Sequence, residues 1–275
     1  MAEIKVTLLQ TKVYADKKKN IEEVAKYMEI AAKGKADIVT LPEMFNCPYQ
    51  TSNFPVYAEP EGGESWQALS NIAKKYGVYL SAGSMPESES GHTYNTAYVF
   101  DRMGRQIAKH RKMHLFDINV EGGQFFKESD TLTAGNRITV FDTEFGKMGL
   151  CVCYDMRFPE LARLMALEGA KVFIVPGAFN MTTGPAHWEI MFRCRALDNQ
   201  AYTIGTAPAR DAESGYVSWG HSIIVSPWGD VLRQLDEKEG YISYTIDLAE
   251  VERVRKELPL LSHRRTDVYR LENFQ

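Results

Sequence analysis

GLCVCYDMRFPE, residues 149–160, is the stretch of sequence that decides the fold. It reads as a buried strand over 148–153, followed within a few residues by a helix over about 158–168. Cys153 takes the last position of that strand, where the chain leaves the sheet. A thiol there can lie near the positive end of the following helix, whose field favours the thiolate. The competing interpretation is a free, inert cysteine in the core, because free cysteines are among the most buried residues.

Strand and helix patterns alternate on both sides of this stretch. Residues 4–11 and 36–43 read as strands, and an apolar stripe that begins at Ile21 predicts a helix between them. A long aperiodic loop follows at 44–65, and another irregular stretch is expected at 113–137. Further helices are predicted at 66–76, 187–200 and 248–259. Further strands are predicted at 78–87, 94–100, 105–112, 138–146, 171–177, 201–208, 221–227, 230–235 and 241–248.

The order of these elements predicts the fold class. Each half of the chain gives strand, helix, strand and helix, and then paired strands, although no sequence repeat relates the halves. Alternating β and α elements followed by hairpins imply mixed sheets with helices on one face of each. Two such sheets stacked face to face make a four-layer α-β-β-α sandwich of the α/β class. No linker separates the halves, so we expect a single domain over residues 1–275.

Composition and charge exclude several function classes. The 275 residues are 44% hydrophobic and can bury a large core. The net charge of −4 and the lack of a dense basic run argue against nucleic acid as a partner. The N-terminus enters a strand pattern at once, and no apolar run approaches membrane-spanning length. We therefore expect a cytoplasmic protein with reduced thiols and no membrane partner; a mitochondrial copy stays open if the source is eukaryotic.

Three reactive side chains end predicted strands. Glu43 follows the strand at 36–43, Lys112 ends 105–112, and Cys153 ends 148–153. Ligands of α/β sheets gather at the carboxyl ends of strands. Taken singly, these three residues are most simply interpreted as a solvated glutamate, a surface lysine and a buried cysteine. Together they are a base, a cation and a nucleophile, which are the parts needed to open an amide.

The segments around these side chains resemble a known family. LPEMF (41–45), HRKMHLFD (110–117) and CVCYDMRFPE (151–160) resemble the three signature segments of the nitrilase superfamily of carbon–nitrogen hydrolases. The resemblance covers nearly the whole chain. Four further stretches resemble its ω-amidase branch: FFKESDTL (125–132), GAFNMTTGPAHWE (177–189), RALDNQ (195–200) and WGHSIIVSPWG (219–229).

This resemblance implies the same four-layer sandwich, usually as a homodimer, and a Glu-Lys-Cys triad at Glu43, Lys112 and Cys153. A second family glutamate, beside the lysine, matches Glu128. No cofactor and no metal is implied. Glu43 would take the thiol proton, and the Lys112 ammonium and the Tyr154 backbone N–H would stabilise the oxyanion. The thioester of Cys153 would then be hydrolysed by water that Glu43 activates, while Glu128 holds Lys112 in place.

The ω-amidase resemblance implies as substrate the monoamide of a short dicarboxylate. Typical members convert α-ketoglutaramate to α-ketoglutarate and α-ketosuccinamate to oxaloacetate. Such a substrate needs a cationic or N–H-rich corner for its far carboxylate, which the sequence does not identify. Aromatic walls would keep the cavity small and dry. The candidate substrate-binding residues are Phe45, Tyr49, Phe116, Arg157, Phe179, Thr182 and Thr183.

Other interpretations stay open at this point. Within the same enzyme class, the substrate could be deaminated glutathione or an N-carbamoyl amino acid. Outside it, the chain could be a non-catalytic dimeric binding module or a thiol redox protein. The spacing of His110 and His114 mimics a zinc pair, and a histidine could pair with Cys153 as in papain. Asp155 and Arg157 could form an ion pair that stiffens the turn after the nucleophile.

Overall fold

Two mixed β-sheets form the framework of the protein in a computed structural model that describes residues 3–274. The strands are β1 (Glu3–Gln10), β2 (Ile38–Thr40), β3 (Tyr79–Ser81), β4 (Met85–Glu89), β5 (His92–Phe100), β6 (Gln106–Arg111), β7 (Asp117–Asn119), β8 (Phe125–Lys127), β9 (Thr139–Thr143), β10 (Gly146–Leu150), β11 (Val172–Pro176), β12 (Tyr202–Thr206), β13 (Ile223–Val225), β14 (Val231–Gln234) and β15 (Gly240–Asp247). The helices are α1 (Lys17–Lys33), α2 (Phe54–Tyr57), α3 (Glu64–Tyr76), α4 (Pro159–Leu167), α5 (Gly184–Asn199) and α6 (Leu248–Glu257). Short 3-10 turns lie at Glu128–Asp130 and Cys153–Arg157. The predicted domain limits at residues 1 and 275 lie outside the described residues.

The two sheets have related topologies. The first sheet has the order β15-β1-β2-β3-β5-β4, with β6 also paired to β5, and the second has the order β14-β13-β12-β11-β10-β9. In each sheet three neighbouring strands run parallel, β1-β2-β3 in the first and β10-β11-β12 in the second. Their other pairings are antiparallel, as expected where hairpins follow crossover connections.

Apolar side chains of both sheets meet in one buried cluster. Ile4 and Val6 of the first sheet belong to the same cluster as Phe173 and Ile174 of the second. Helices cover the outer faces: α1 and α3 pack on the first sheet, and residues of α4 and α5 join the cluster on the side of the second. The predicted α-β-β-α sandwich is therefore confirmed.

A polar contact also joins the sheets. The hydroxyl of Thr40, at the end of β2, lies 2.6 Å from the hydroxyl of Thr206, at the end of β12, and both side chains are buried. Within the second sheet, the N–H of Gly177, after β11, donates to the Thr206 carbonyl of β12 at 2.9 Å. These bonds fix the carboxyl ends of the parallel strands against each other, and the reactive side chains emerge there.

Several boundaries differ from the sequence prediction. The strand predicted at 78–87 is split into β3 and β4, because the chain turns at Gly83 with φ 61°. A β-carbon at this glycine would lie 2.1 Å from the carbonyl oxygen of Pro42, so the two loops touch there. The irregular stretch at 113–137 contains the β7–β8 hairpin, and the loop at 44–65 contains α2. The helix predicted from 187 begins at Gly184.

No helix in the part of the chain that the structure describes is long and apolar enough to cross a membrane.

Candidate active site

Glu43 lies at the centre of the candidate site. It follows β2 and is fully buried. One carboxylate oxygen accepts hydrogen bonds from Asn95 Nδ2 at 2.9 Å and from the Tyr49 hydroxyl at 3.1 Å. The other oxygen accepts the backbone N–H of Ala178 at 2.8 Å. The residue after it, Met44, has φ 51°, a sparsely populated conformation that is common at functional sites.

The Lys112 ammonium lies between two buried carboxylates. Its Nζ is 3.0 Å from Glu43 Oε1 and 2.9 Å from Glu128 Oε1, and all three side chains are fully buried. Burial lowers the pKa of Lys112, but the charges of Glu128 and Glu43 outweigh this, so the pKa stands above its usual 10.5. The ammonium therefore stays charged across the physiological range.

Glu128 begins the 3-10 turn that follows β8. It accepts the Tyr49 hydroxyl at 2.6 Å and the backbone N–H of Phe116 at 2.7 Å, besides Lys112. Burial and the nearby charge of Glu43 raise its pKa, although Lys112 partly offsets both effects. Tyr49 thus links the two carboxylates that flank the lysine.

Cys153 lies three residues beyond the end of β10, so the predicted strand over 148–153 is wrong at its carboxyl end. It begins a 3-10 turn and has φ 48°. Its thiol is buried, and the Glu43 carboxylate, the Lys112 ammonium and the N–H of Ala178 act on its pKa. Burial, followed by the charge of Glu43, raises the pKa of the thiol well above 9, although Lys112 lowers it. Cys153 therefore rests as a thiol beside a base, rather than as the thiolate that a helix field would favour.

Asp155 organises the turn after the nucleophile. Its buried carboxylate accepts the N–H of Val152 at 3.0 Å and those of Met113 and His114 at 3.1 and 2.9 Å. It also binds both ring nitrogens that face it, His110 Nε2 at 2.9 Å and His114 Nδ1 at 2.8 Å. The residues next to Cys153 and Lys112 are thus tied to one carboxylate. An ion pair of Asp155 with Arg157, weighed from the sequence, does not form.

Arg157 is instead a partly buried cation without an acidic partner among residues 3–274. Its guanidinium carbon lies 4.7 Å from the ring centre of Phe179 and 5.6 Å from that of Tyr154. Nη1 contacts His187 Nδ1 at 3.2 Å, and the buried Nε has no hydrogen-bond partner in that part of the chain. Burial lowers the pKa of Arg157, while the nearby Cys153 thiolate would raise it. The Nε of Arg157 is therefore a hydrogen-bond donor without a partner among the described residues, in the same turn as the nucleophile.

The other residues predicted to contact the substrate differ in their surroundings and in their exposure. The ring of Phe116 lies 5.2 Å from that of Tyr154, and the Tyr154 N–H is in the first 3-10 turn, where N–H groups lack intrahelical acceptors. Thr183 is buried with its hydroxyl bonded to Asn180, whereas Thr182 is exposed. Phe45 packs in the apolar cluster between the first sheet and its helices.

Sequence reasoning missed two side chains that touch the site. Asn95 donates to Glu43 from the interior of β5, and a polar residue inside a buried strand pattern was the available signal. Tyr216 donates its hydroxyl to the Ala178 carbonyl at 2.5 Å, and its ring centre lies 4.5 Å from that of Tyr49. Tyr216 comes from an irregular segment, and no pattern in the sequence marks it.

The metal and histidine alternatives find no support in the geometry. His110 and His114 both bind Asp155, and within residues 3–274 no group of three or more histidine, cysteine, aspartate or glutamate residues could hold a metal ion. The partner of the Cys153 thiol is the Glu43 carboxylate rather than an imidazole.

Comparison with known proteins identifies the family. The family profile described as carbon–nitrogen hydrolase matches residues 5–256. The chain belongs to the carbon–nitrogen hydrolase family. Among relatives of this hydrolase, the protein named omega-amidase NIT2 from Xenopus tropicalis is 48% identical over 272 residues, covering 99% of both chains.

Solved structures of the nitrilase superfamily resemble this hydrolase closely. Nit3 of Saccharomyces cerevisiae, described as a member of branch 10 of that superfamily, has 41% identity and a TM-score of 0.89, covering 96% of this chain and 97% of its own. A mutant amidase from Nesterenkonia sp. AN1 has 25% identity and a TM-score of 0.80, covering 96% and 98%. In that amidase, acrylamide has added to the active-site cysteine.

The network around Asp155 generates a prediction on stability. Burial alone raises the pKa of Asp155, but hydrogen bonds from His110 and His114 hold it well below its usual range. A lowered folded-state pKa stabilises the protein above the unfolded pKa of about 3.9, and this contribution is lost as the pH falls through the folded value. Asp155→Asn should therefore lower the free energy of unfolding at pH 7 by about 3 kcal/mol.

Urea unfolding at pH 7 and at steps below pH 4 measures this difference, which should shrink towards acid pH. The control is Asp142→Asn, since Asp142 is exposed and pairs only with Lys147 at the surface. Equal stability of the Asp155 variant and the native chain at pH 7 would contradict the assignment.

Proposed function

We propose that this hydrolase is an ω-amidase that cleaves the terminal amide of short dicarboxylate monoamides. Its substrates are α-ketoglutaramate, converted to α-ketoglutarate, and α-ketosuccinamate, converted to oxaloacetate, with release of ammonia. The observation that carries the proposal is the buried contact of a thiol, two carboxylates and an ammonium beside the unpaired Arg157. The similarity to a relative named omega-amidase over the full length supports it.

The reaction begins with proton transfer from Cys153 to Glu43. Because the pKa of the thiol is raised, little thiolate exists at neutral pH, and the proton must leave as the sulfur attacks the amide carbon. Asn95, Lys112 and the N–H of Ala178 donate hydrogen bonds to Glu43, which hold its carboxylate in place for this transfer.

Charge then develops on the amide oxygen. The Lys112 ammonium and the N–H of Tyr154 are the proposed donors to this oxyanion. Losing one such donor typically costs about 100- to 1000-fold in rate. Glu128 accepts a hydrogen bond from the ammonium at 2.9 Å and is itself held by the Tyr49 hydroxyl at 2.6 Å, so that the ammonium need not reorganise when the charge appears.

The tetrahedral species collapses to a thioester, and Glu43 returns its proton to the leaving ammonia. Water then replaces ammonia, gives its proton to Glu43 and attacks the thioester carbon. The C–S bond breaks, and the sulfur recovers the proton from Glu43. The sum is amide plus water to carboxylic acid plus ammonia, with every catalytic group regenerated and no cofactor consumed.

Arg157 is the proposed receptor for the far carboxylate of the substrate. It is the guanidinium near Cys153, its buried Nε has a free N–H, and aromatic rings rather than acids surround it. A buried cation without a counter-ion favours an anionic ligand, because the ligand supplies the missing charge partner. A short dicarboxylate monoamide presents such a charge a few carbons from its amide.

The first experiment measures ammonia release from α-ketoglutaramate, succinamate, β-ureidopropionate and a nitrile, and release of the dipeptide amine from deaminated glutathione. We expect the two dicarboxylate monoamides to have the highest kcat/KM, and Cys153→Ala to abolish turnover because the thioester cannot form. Cys194→Ala is the matched control, since Cys194 is exposed on α5. Intact mass spectrometry should detect the acyl group on the native enzyme and on Cys194→Ala, but not on Cys153→Ala. Preference for the ureido compound or the nitrile, or equal release by both cysteine variants, would reject the proposal.

A second experiment tests the role of Arg157. Arg157→Met should raise KM for α-ketoglutaramate by about 10- to 100-fold, the effect expected when a charged hydrogen-bond donor is lost. Turnover of butyramide, which has no carboxylate, should change little. Arg105→Met is the control, since the Arg105 side chain is 76% exposed and pairs with Asp101 at the surface. Equal losses with both substrates would mean that Arg157 acts on the protein rather than on the carboxylate.

We also propose that the protein forms a homodimer through the outer face of α5. Exposed apolar side chains cluster there, on α5, after β13 and after α6: Ile190, Leu197, Trp228 and Leu258. Such patches mark interaction sites, and a two-fold axis can pair one patch with its copy. In sedimentation, Leu197→Glu should give a monomer, whereas Val56→Glu, at another exposed apolar residue, should not. A native monomer would contradict the proposal.

The cytoplasmic location stays a prediction, and the four free cysteines are compatible with a reducing compartment. The proposed partners are the amide and water.

A further inference from the structure

A small cavity touches Glu43, and Lys112, Glu128 and Cys153 are not among its described lining residues. Its volume is about 40 Å³, and its walls include Glu43, Tyr49, Ala178, Ala209 and Tyr216. One water needs roughly 10–15 Å³ of such space, so two or three waters fit. The half-buried residues Val13, Asp211 and Ser214 also line it, so the cavity leads from the buried carboxylate towards the surface.

The lining suits water rather than a substrate. The cavity is too small for a dicarboxylate, and most of its wall is apolar with a few polar groups. Besides the Glu43 carboxylate, Ser218 lines it; this residue is 5% exposed, and its hydroxyl has no hydrogen-bond partner among residues 3–274. A buried polar atom without a protein partner is the ordinary mark of an ordered water.

The hydrolytic half of the reaction needs such a route. In the proposed thioester, the acyl group extends from Cys153 towards Arg157, which binds its carboxylate. Neither of these residues, nor Lys112, contributes to the described wall of the cavity. Water in the cavity therefore reaches Glu43 without passing the acyl group.

We propose that this cavity holds and delivers the hydrolytic water, an inference that rests on the proposed amidase reaction. The water oxygen bonds to the thioester carbon while its proton passes to Glu43. The C–S bond then breaks, and the sulfur takes up that proton. The cavity serves only this second half, because acylation consumes no water.

The test is a series of substitutions at Ala209, whose side chain is 6% exposed and lines the cavity. Ala209→Ser, Ala209→Val and Ala209→Leu fill the space progressively, so the trend can still be measured if one variant folds poorly. Steady-state turnover of α-ketoglutaramate should fall as volume rises, on the order of 10-fold or more for Ala209→Leu. The first-turnover burst of ammonia should persist, and intact mass should show accumulated thioester. Ala212→Val, exposed in the same segment, is the control.

The outcomes separate the two proposals. A persistent burst with slowed turnover and accumulated thioester supports the water route. Unchanged turnover in Ala209→Leu, or equal loss of burst and turnover in all three variants, overturns it while leaving the amidase proposal intact. A native chain that gives neither burst nor thioester overturns the amidase proposal, and the water route with it.

Discussion

The Lys112 ammonium, held between Glu43 and Glu128, is the interaction on which the rest of the site depends. Three charged groups without solvent contact are costly unless each is paired and hydrogen-bonded. Here the cation contacts both anions, Tyr49 bonds to both, and backbone N–H groups of Phe116 and Ala178 satisfy the remaining oxygens. Removing the lysine would leave two carboxylates facing each other. The segments that carry these groups must therefore close on one another when the chain folds.

The sandwich provides the rigid frame for that closure. Glu43 follows a central parallel strand of the first sheet, while Cys153 and Ala178 follow β10 and β11 of the second. The hydroxyl contact between Thr40 and Thr206 sets these strand ends against each other. The turns that complete the site rest on side chains with several partners, above all Asp155. Catalytic groups on loops are thus placed with the precision of the sheets beneath them.

The sequence predicted what depends on periodicity and residue type, and missed what depends on packing. Strand and helix alternation was enough for the four layers, and the chemical types of Glu43, Lys112 and Cys153 at strand ends indicated a common site. Glu128 needed the family resemblance, since a lone glutamate in a loop has no distinguishing pattern. The end of β10 was misplaced because Asp155 draws the chain into a turn, a contact made with residues about 40 positions away. The packing of Phe45 between the first sheet and its helices has no signal in the sequence, because it depends on the tertiary contacts of that layer.

The left-handed backbone at position 153 restricts which atom can serve as the nucleophile. At φ 48° a side chain branched at the β-carbon is a steric outlier, whereas an unbranched one is tolerated at modest cost. Serine has the shape of cysteine and would fit the turn, but threonine would strain it. Serine is therefore the residue that could place a hydroxyl nucleophile at this position. The backbone thus permits fewer nucleophilic residue types here than the chemistry of the reaction alone would allow.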